Sequence, residues 1–205
     1  MPRGERWAKL LNINYFRARI GRTGAHREEA ALGGQANTGA GQLPALCPPR
    51  FVGRDREIAA LDEALGQQPA VVLIEGEAGI GKSRLLREFL AAGSGGGRRA
   101  LVGACPPLPV PYTLGAVVDA VREGAGSVSG LRLSGLAGAL RPLFPEWAAD
   151  LPPALEPLAD ATAARHRLFR AFVELLSRLD VTVLAIEDVH WADEVTLEFL
   201  LFLVT

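Results

Sequence analysis

Residues 76–83 read Gly76-Glu77-Ala78-Gly79-Ile80-Gly81-Lys82-Ser83, the pattern G-x-x-x-x-G-K-S without a departure. Few short patterns constrain a fold so tightly. Ahead of the loop lies the β-branched run Val71-Val72-Leu73-Ile74, which predicts a buried strand. Behind it, Leu85, Leu86, Phe89 and Leu90 recur at helical spacing. Strand, glycine-rich loop and helix are the setting in which this pattern cradles a polyphosphate. Glycines let backbone N–H groups converge on phosphate oxygens without Cβ clashes. The helix start adds unpaired N–H groups and the positive end of its dipole. Lys82 is expected to reach the β- and γ-phosphates, and the Ser83 hydroxyl to ligate Mg²⁺.

A second acidic element belongs to the same chemistry. The run Val181-Thr182-Val183-Leu184-Ala185-Ile186 predicts a strand that ends in Glu187-Asp188. Open α/β sheets place ligand chemistry at the carboxyl ends of parallel strands. In phosphate-loop enzymes one such carboxylate serves the metal and another orients or deprotonates the attacking water. Glu187 and Asp188 are therefore candidate catalytic and metal-side residues beside Lys82 and Ser83. The usual order puts Asp first, so which acid does which job stays open. His190 has no second His or Cys at a ligand spacing. Trp191 reads as a packing residue, and Asp193 as the N-cap of a last helix carrying Val195, Leu197, Phe199 and Leu200.

Bulk properties exclude several alternatives. The 22 basic and 23 acidic residues nearly cancel, so no global field argues for nucleic acid or an anionic membrane. Two distant cysteines, Cys47 and Cys105, lack metal-ligand spacing and fit a reducing compartment. No run approaches the roughly 18–20 apolar residues of a membrane span, and the N-terminus lacks a signal-peptide core. A cytoplasmic location is expected.

Residues 1–50 differ from the rest. They hold eight basic residues (Arg3, Arg6, Lys9, Arg17, Arg19, Arg22, Arg27 and Arg50) against Glu5, Glu28 and Glu29. A short basic helix over residues 7–20 is conceivable, and residues 31–46 are Gly/Ala/Asn/Gln-rich; residues 1–50 read as a disordered leader in preference to a basic arm that touches nucleic acid or a membrane surface. The folded part, residues 51–205, begins at Phe51-Val52-Gly53-Arg54. A helix with the stripe Ile58, Leu61 and Leu65 follows, with Asp55 as its cap and Gly66 as its stop. Further on, a strand is expected at 100–105, helices at 113–123 and 161–179, and a weak helix at 131–140. The intervening prolines make turns.

Taken in order, Phe51-Val52-Gly53-Arg54 with Glu57, the loop at 76–83, and Ile186-Glu187-Asp188-Val189-His190-Trp191-Ala192-Asp193 resemble three signatures of one family. It is the STAND-type, AAA-like ATPase domain of large LuxR-type bacterial transcriptional regulators, also found beside nucleotide cyclase or kinase modules. The resemblance covers residues 51–205. It implies a P-loop parallel sheet flanked by helices, with ATP and Mg²⁺ as cofactors and slow hydrolysis working as a switch. Val52, Gly53 and Arg54 would lie along adenine and ribose. Gly76, Glu77, Ala78, Gly79, Ile80, Gly81, Lys82 and Ser83, with Arg84 behind them, would surround the phosphates. The family's sheet order, 5-1-4-3-2, puts a fourth strand between the loop strand and the acidic strand. This sequence stops at Thr205, before that strand, the lid and any DNA-binding segment. A truncated piece of a regulator is therefore expected, with self-association and DNA contact carried by missing C-terminal parts. A small-molecule kinase sharing the phosphate loop, and a non-catalytic fragment that merely binds partners, are the alternatives.

Overall fold

Short apolar strands alternating with amphipathic helices bury their apolar faces most simply as parallel pairs joined by helical crossovers. The computed structural model describes residues 16–19, 51–66, 71–94, 98–107 and 113–204. Its elements in chain order are β1 (Phe16–Arg19), α1 (Asp55–Gly66), β2 (Val72–Glu75), α2 (Lys82–Ser94), β3 (Ala100–Ala104), α3 (Gly115–Ala125), α4 (Ala161–Arg178), β4 (Val183–Glu187) and α5 (Glu194–Val204). Single 3-10 helices stand at Gly135–Leu140, Pro145–Trp147 and Val189–Trp191. The architecture is α/β, and both described strand pairs are parallel.

β1 pairs with β2, Phe16 against Val72 through Arg19 against Glu75. β3 pairs with β4, Ala100 against Val183 through Ala104 against Glu187. The loop strand β2 and the acidic strand β4 thus lie in different two-stranded sheets. Each keeps one hydrogen-bonding edge without a strand among the described residues, and both strands are half-buried throughout.

The core is divided in the same way. Leu61 of α1 and Leu85 and Phe89 of α2 form a small cluster, with Phe51, Ile58, Val72, Ile74 and Ile80 packed around it. The larger cluster joins β3, α3, the 3-10 helices at Gly135–Leu140 and Pro145–Trp147, α4 and α5. In it, Phe144 stacks on Trp147 at 4.5 Å, and Phe199 of α5 meets Phe169 of α4 at 5.3 Å. Fully burying a side chain of this size stabilises by about 1.5–3 kcal/mol. Gly103 lets α3 approach β3 closely, because a Cβ there would stand 2.1 Å from the Ala116 carbonyl oxygen.

Three sequence expectations need correction. Residues 16–19 form a strand where a short basic helix was conceivable; the rest of residues 1–50, on which the leader reading falls, lies outside the described residues. The segment at 131–140 is helical only over Gly135–Leu140, as a 3-10 helix. Gly135 and Gly138 disfavour an α-helix there, and a Cβ on Gly138 would meet the Pro153 carbonyl oxygen at 2.1 Å. Its start is fixed from a distance, since Glu174 accepts from both the backbone N–H and the hydroxyl of Ser134, each at 2.6 Å. Finally, Asp55 does not cap α1. It stands inside the first turn, and the Arg54 carbonyl accepts the Ile58 N–H at 3.0 Å.

Candidate functional site

β2 leads directly into the loop. Gly79 and Gly81 have φ of 77° and 98°, the left-handed region that glycine enters without strain. An added Cβ would meet nothing within 4 Å at either position, so the space beside the loop backbone is open. The Ile80 N–H reaches the Glu77 carbonyl at 3.3 Å, and the Leu85 N–H bonds to Gly81 O at 2.9 Å as α2 begins. Gly76, Glu77, Ala78, Gly79, Gly81 and Ser83 are exposed. Lys82 folds back over its own loop, and its Nζ donates to the carbonyls of Gly76 at 2.9 Å and Glu77 at 3.0 Å. Those bonds curl the loop and hold a cation at its centre. A strand end, left-handed glycines, a helix N-terminus and a central ammonium suit a polyphosphate, and the hydroxyl of Ser83 suits a hard cation such as Mg²⁺.

The segment before α1 borders the loop. Gly53 has a φ of 80°, and Val52 stands 75% exposed. The Arg54 guanidinium pairs with Glu57 at 2.8 Å. That hydrogen bond, ahead of the opposing effect of burial, holds the Glu57 carboxyl below its ordinary range. So Val52 is open to a ligand, whereas the Arg54 side chain is engaged by its own helix. Arg84 lies with its guanidinium over the Phe51 ring and with Nη2 3.4 Å from Glu88.

The acids occupy the end of β4. Glu187 is its last residue, half-buried, and Asp188 follows exposed at φ 53° and ψ 40°. Their carboxylates offer a further set of oxygen donors at a strand's carboxyl end. The structure gathers residues 76–83 into one loop after β2 and sets Glu187 and Asp188 in succession at the end of β4, and β2 and β4 belong to different sheets. Among the described residues, no three His, Cys, Asp or Glu side chains gather as a metal site.

Asp193 caps α5 as its position predicts, accepting the Thr196 N–H at 3.0 Å. Trp191 does not pack: it is 52% exposed, with the His190 ring 5.2 Å away. Sequence reasoning passed over Thr196, whose hydroxyl donates to Asp193. The D-x-x-T spacing of a cap was the available signal. No helix among the described residues is long and apolar enough to cross a membrane.

The family model described as AAA ATPase domain matches residues 50–205. A curated relative, an uncharacterized protein of Rhizobium meliloti (strain 1021), is 29% identical over 171 residues. That match covers 73% of this chain and only 16% of the relative, so the chain spans a small part of the protein it resembles. No solved structure matches the chain.

Proposed function

Because the chain belongs to the AAA ATPase domain family, we propose that residues 76–83 bind the phosphates of ATP with Mg²⁺ and that the domain serves as a switch within a larger, signal-responsive transcriptional regulator. The observation that carries the nucleotide reading is the Lys82 ammonium held at the centre of a loop with left-handed Gly79 and Gly81. When bound, ATP with Mg²⁺ supplies a transferable phosphoryl group and a charge-neutralising cation. Lys82 exchanges its two carbonyl acceptors for phosphate oxygens, forming a charge-assisted bond. Backbone N–H groups at the start of α2 face the same anion. Ser83 contributes its hydroxyl to the cation, and Glu187 and Asp188 divide the metal-side and water-orienting roles between them. Val52 and Gly53 border the base and ribose.

The regulatory role rests on the order of the three sequence signatures and on the small share of the longer relative that this domain represents. Self-association and DNA contact through other parts of such a protein belong to the same proposal. Titration with a fluorescent ATP analogue in the presence of Mg²⁺ tests the first part. Binding by the wild-type chain that disappears in Lys82→Ala is expected, and equal binding by both overturns it. Sedimentation with and without ATP tests the switch, which predicts a nucleotide-dependent change in association.

A further inference from the structure

The turn from β4 to α5 has little side-chain support of its own. His190 and Trp191 are exposed, and the turn closes through main-chain bonds from Trp191 N to Asp188 O at 2.9 Å and from Ala192 N to Val189 O at 3.1 Å. Asp188 sits in the left-handed region, which Asp tolerates better than most residues but which persists only where both flanks hold it. The upstream flank is fixed, since Cys105 N donates to Glu187 O at 3.0 Å and extends the pairing of β3 with β4. The downstream flank is Asp193. Its carboxylate accepts from both the N–H and the hydroxyl of Thr196, and its carbonyl accepts Leu197 N at 3.1 Å.

A helix cap needs only the N–H bond. The hydroxyl bond does something further: Thr196 is 0% exposed, and among the described residues it is the buried polar residue of the core. A buried hydroxyl that loses its acceptor is costly, so Thr196 ties Asp193, and with it the end of the turn, to the interior beside Phe199.

We infer that Asp193 and Thr196 are positioning residues for Asp188: their buried hydroxyl–carboxylate clamp fixes the downstream end of the left-handed turn and so the direction in which the Asp188 carboxylate meets Mg²⁺. The inference rests on the reading of Asp188 as part of a Mg²⁺–nucleotide site. The test is a Mg²⁺ titration of fluorescent-ATP binding by the full chain, alongside binding in excess EDTA and thermal unfolding. Thr196→Val is expected to raise the Mg²⁺ concentration for half-maximal effect by about tenfold while leaving binding in EDTA unchanged, and Thr196→Ser is expected to restore it. Unchanged Mg²⁺ dependence in Thr196→Val, with or without a lower melting temperature, overturns the inference. So does a loss in Asp193→Asn that Thr196→Val does not share, which would place Asp193 on the ion itself. A wild-type chain that binds the nucleotide with no Mg²⁺ dependence overturns the positioning role and leaves the loop reading intact. A wild-type chain that binds none overturns both.

Discussion

The Arg84 guanidinium lies over the Phe51 ring, 5.9 Å from its centroid. That contact joins the segment before α1 to the first turn of α2, immediately behind Ser83. The ring also packs on the cluster of Leu61, Leu85 and Phe89. Phe51 is therefore an anchor that holds the segment before α1 against the start of α2. Phe51→Ala should cost about 2 kcal/mol in urea unfolding, since the ring is only half-buried. The same substitution should weaken binding of an ATP analogue, whereas Phe51→Leu should lose less of both.

Lys82→Ala separates binding from folding. The side chain is half-buried and bonds only two carbonyls of its own loop. Its removal should shift stability by less than about 0.5 kcal/mol. Nucleotide affinity should fall about a hundredfold, because a charge-assisted contact of roughly 3 kcal/mol disappears. Equilibrium unfolding and fluorescence titration of the same sample check both expectations.

Two glycines should fail for opposite reasons. At Gly81 a Cβ has open space, but φ is 98°. Gly81→Ala should thus cost about 1–3 kcal/mol in backbone strain and disturb nucleotide binding. At Gly103 the obstacle is the Ala116 carbonyl, 2.1 Å from the Cβ position. Gly103→Ala must push α3 off β3, so its melting temperature should fall further than that of Gly81→Ala.

The Arg54–Glu57 pair gives a pH signature. Its hydrogen bond lowers the Glu57 carboxyl in the folded protein relative to the unfolded chain. The resulting stabilisation is present above the unfolded value and is lost as pH falls through the folded one. Glu57→Gln should cost less than about 1 kcal/mol near neutral pH, given the partial exposure of the pair. Urea unfolding at a series of acidic pH values should show the gap between variant and wild type closing once Glu57 is protonated in the folded state.

Local signals carried much of this structure. The loop glycines, the acids at the end of β4 and the Asp193 cap each depend on neighbours within a few residues, and each stands where the pattern puts it. Distant partners were illegible. Nothing in the sequence near Ser134 announces Glu174, and nothing near Arg99 announces the Leu179 carbonyl that its guanidinium reaches at 2.8 Å. Trp191 was misread because aromatic residues usually find a core, whereas here a short 3-10 turn carries it outward. The weak helix at 131–140 failed on Gly135 and Gly138, and no period reveals how closely Gly138 approaches the Pro153 carbonyl.

The split of the interior has a thermodynamic consequence. Among the described residues, the cluster under the loop at 76–83 has three buried side chains, whereas β4 and α5 stand on a far larger one. Amide exchange should therefore be fastest across α1, β2 and α2, where the opening free energy is smallest. A ligand that grips only the closed form adds its binding free energy to that half. Occupying the loop should therefore consolidate the ground beneath it, and proton exchange should slow along α1 and α2 well beyond the first turn of α2.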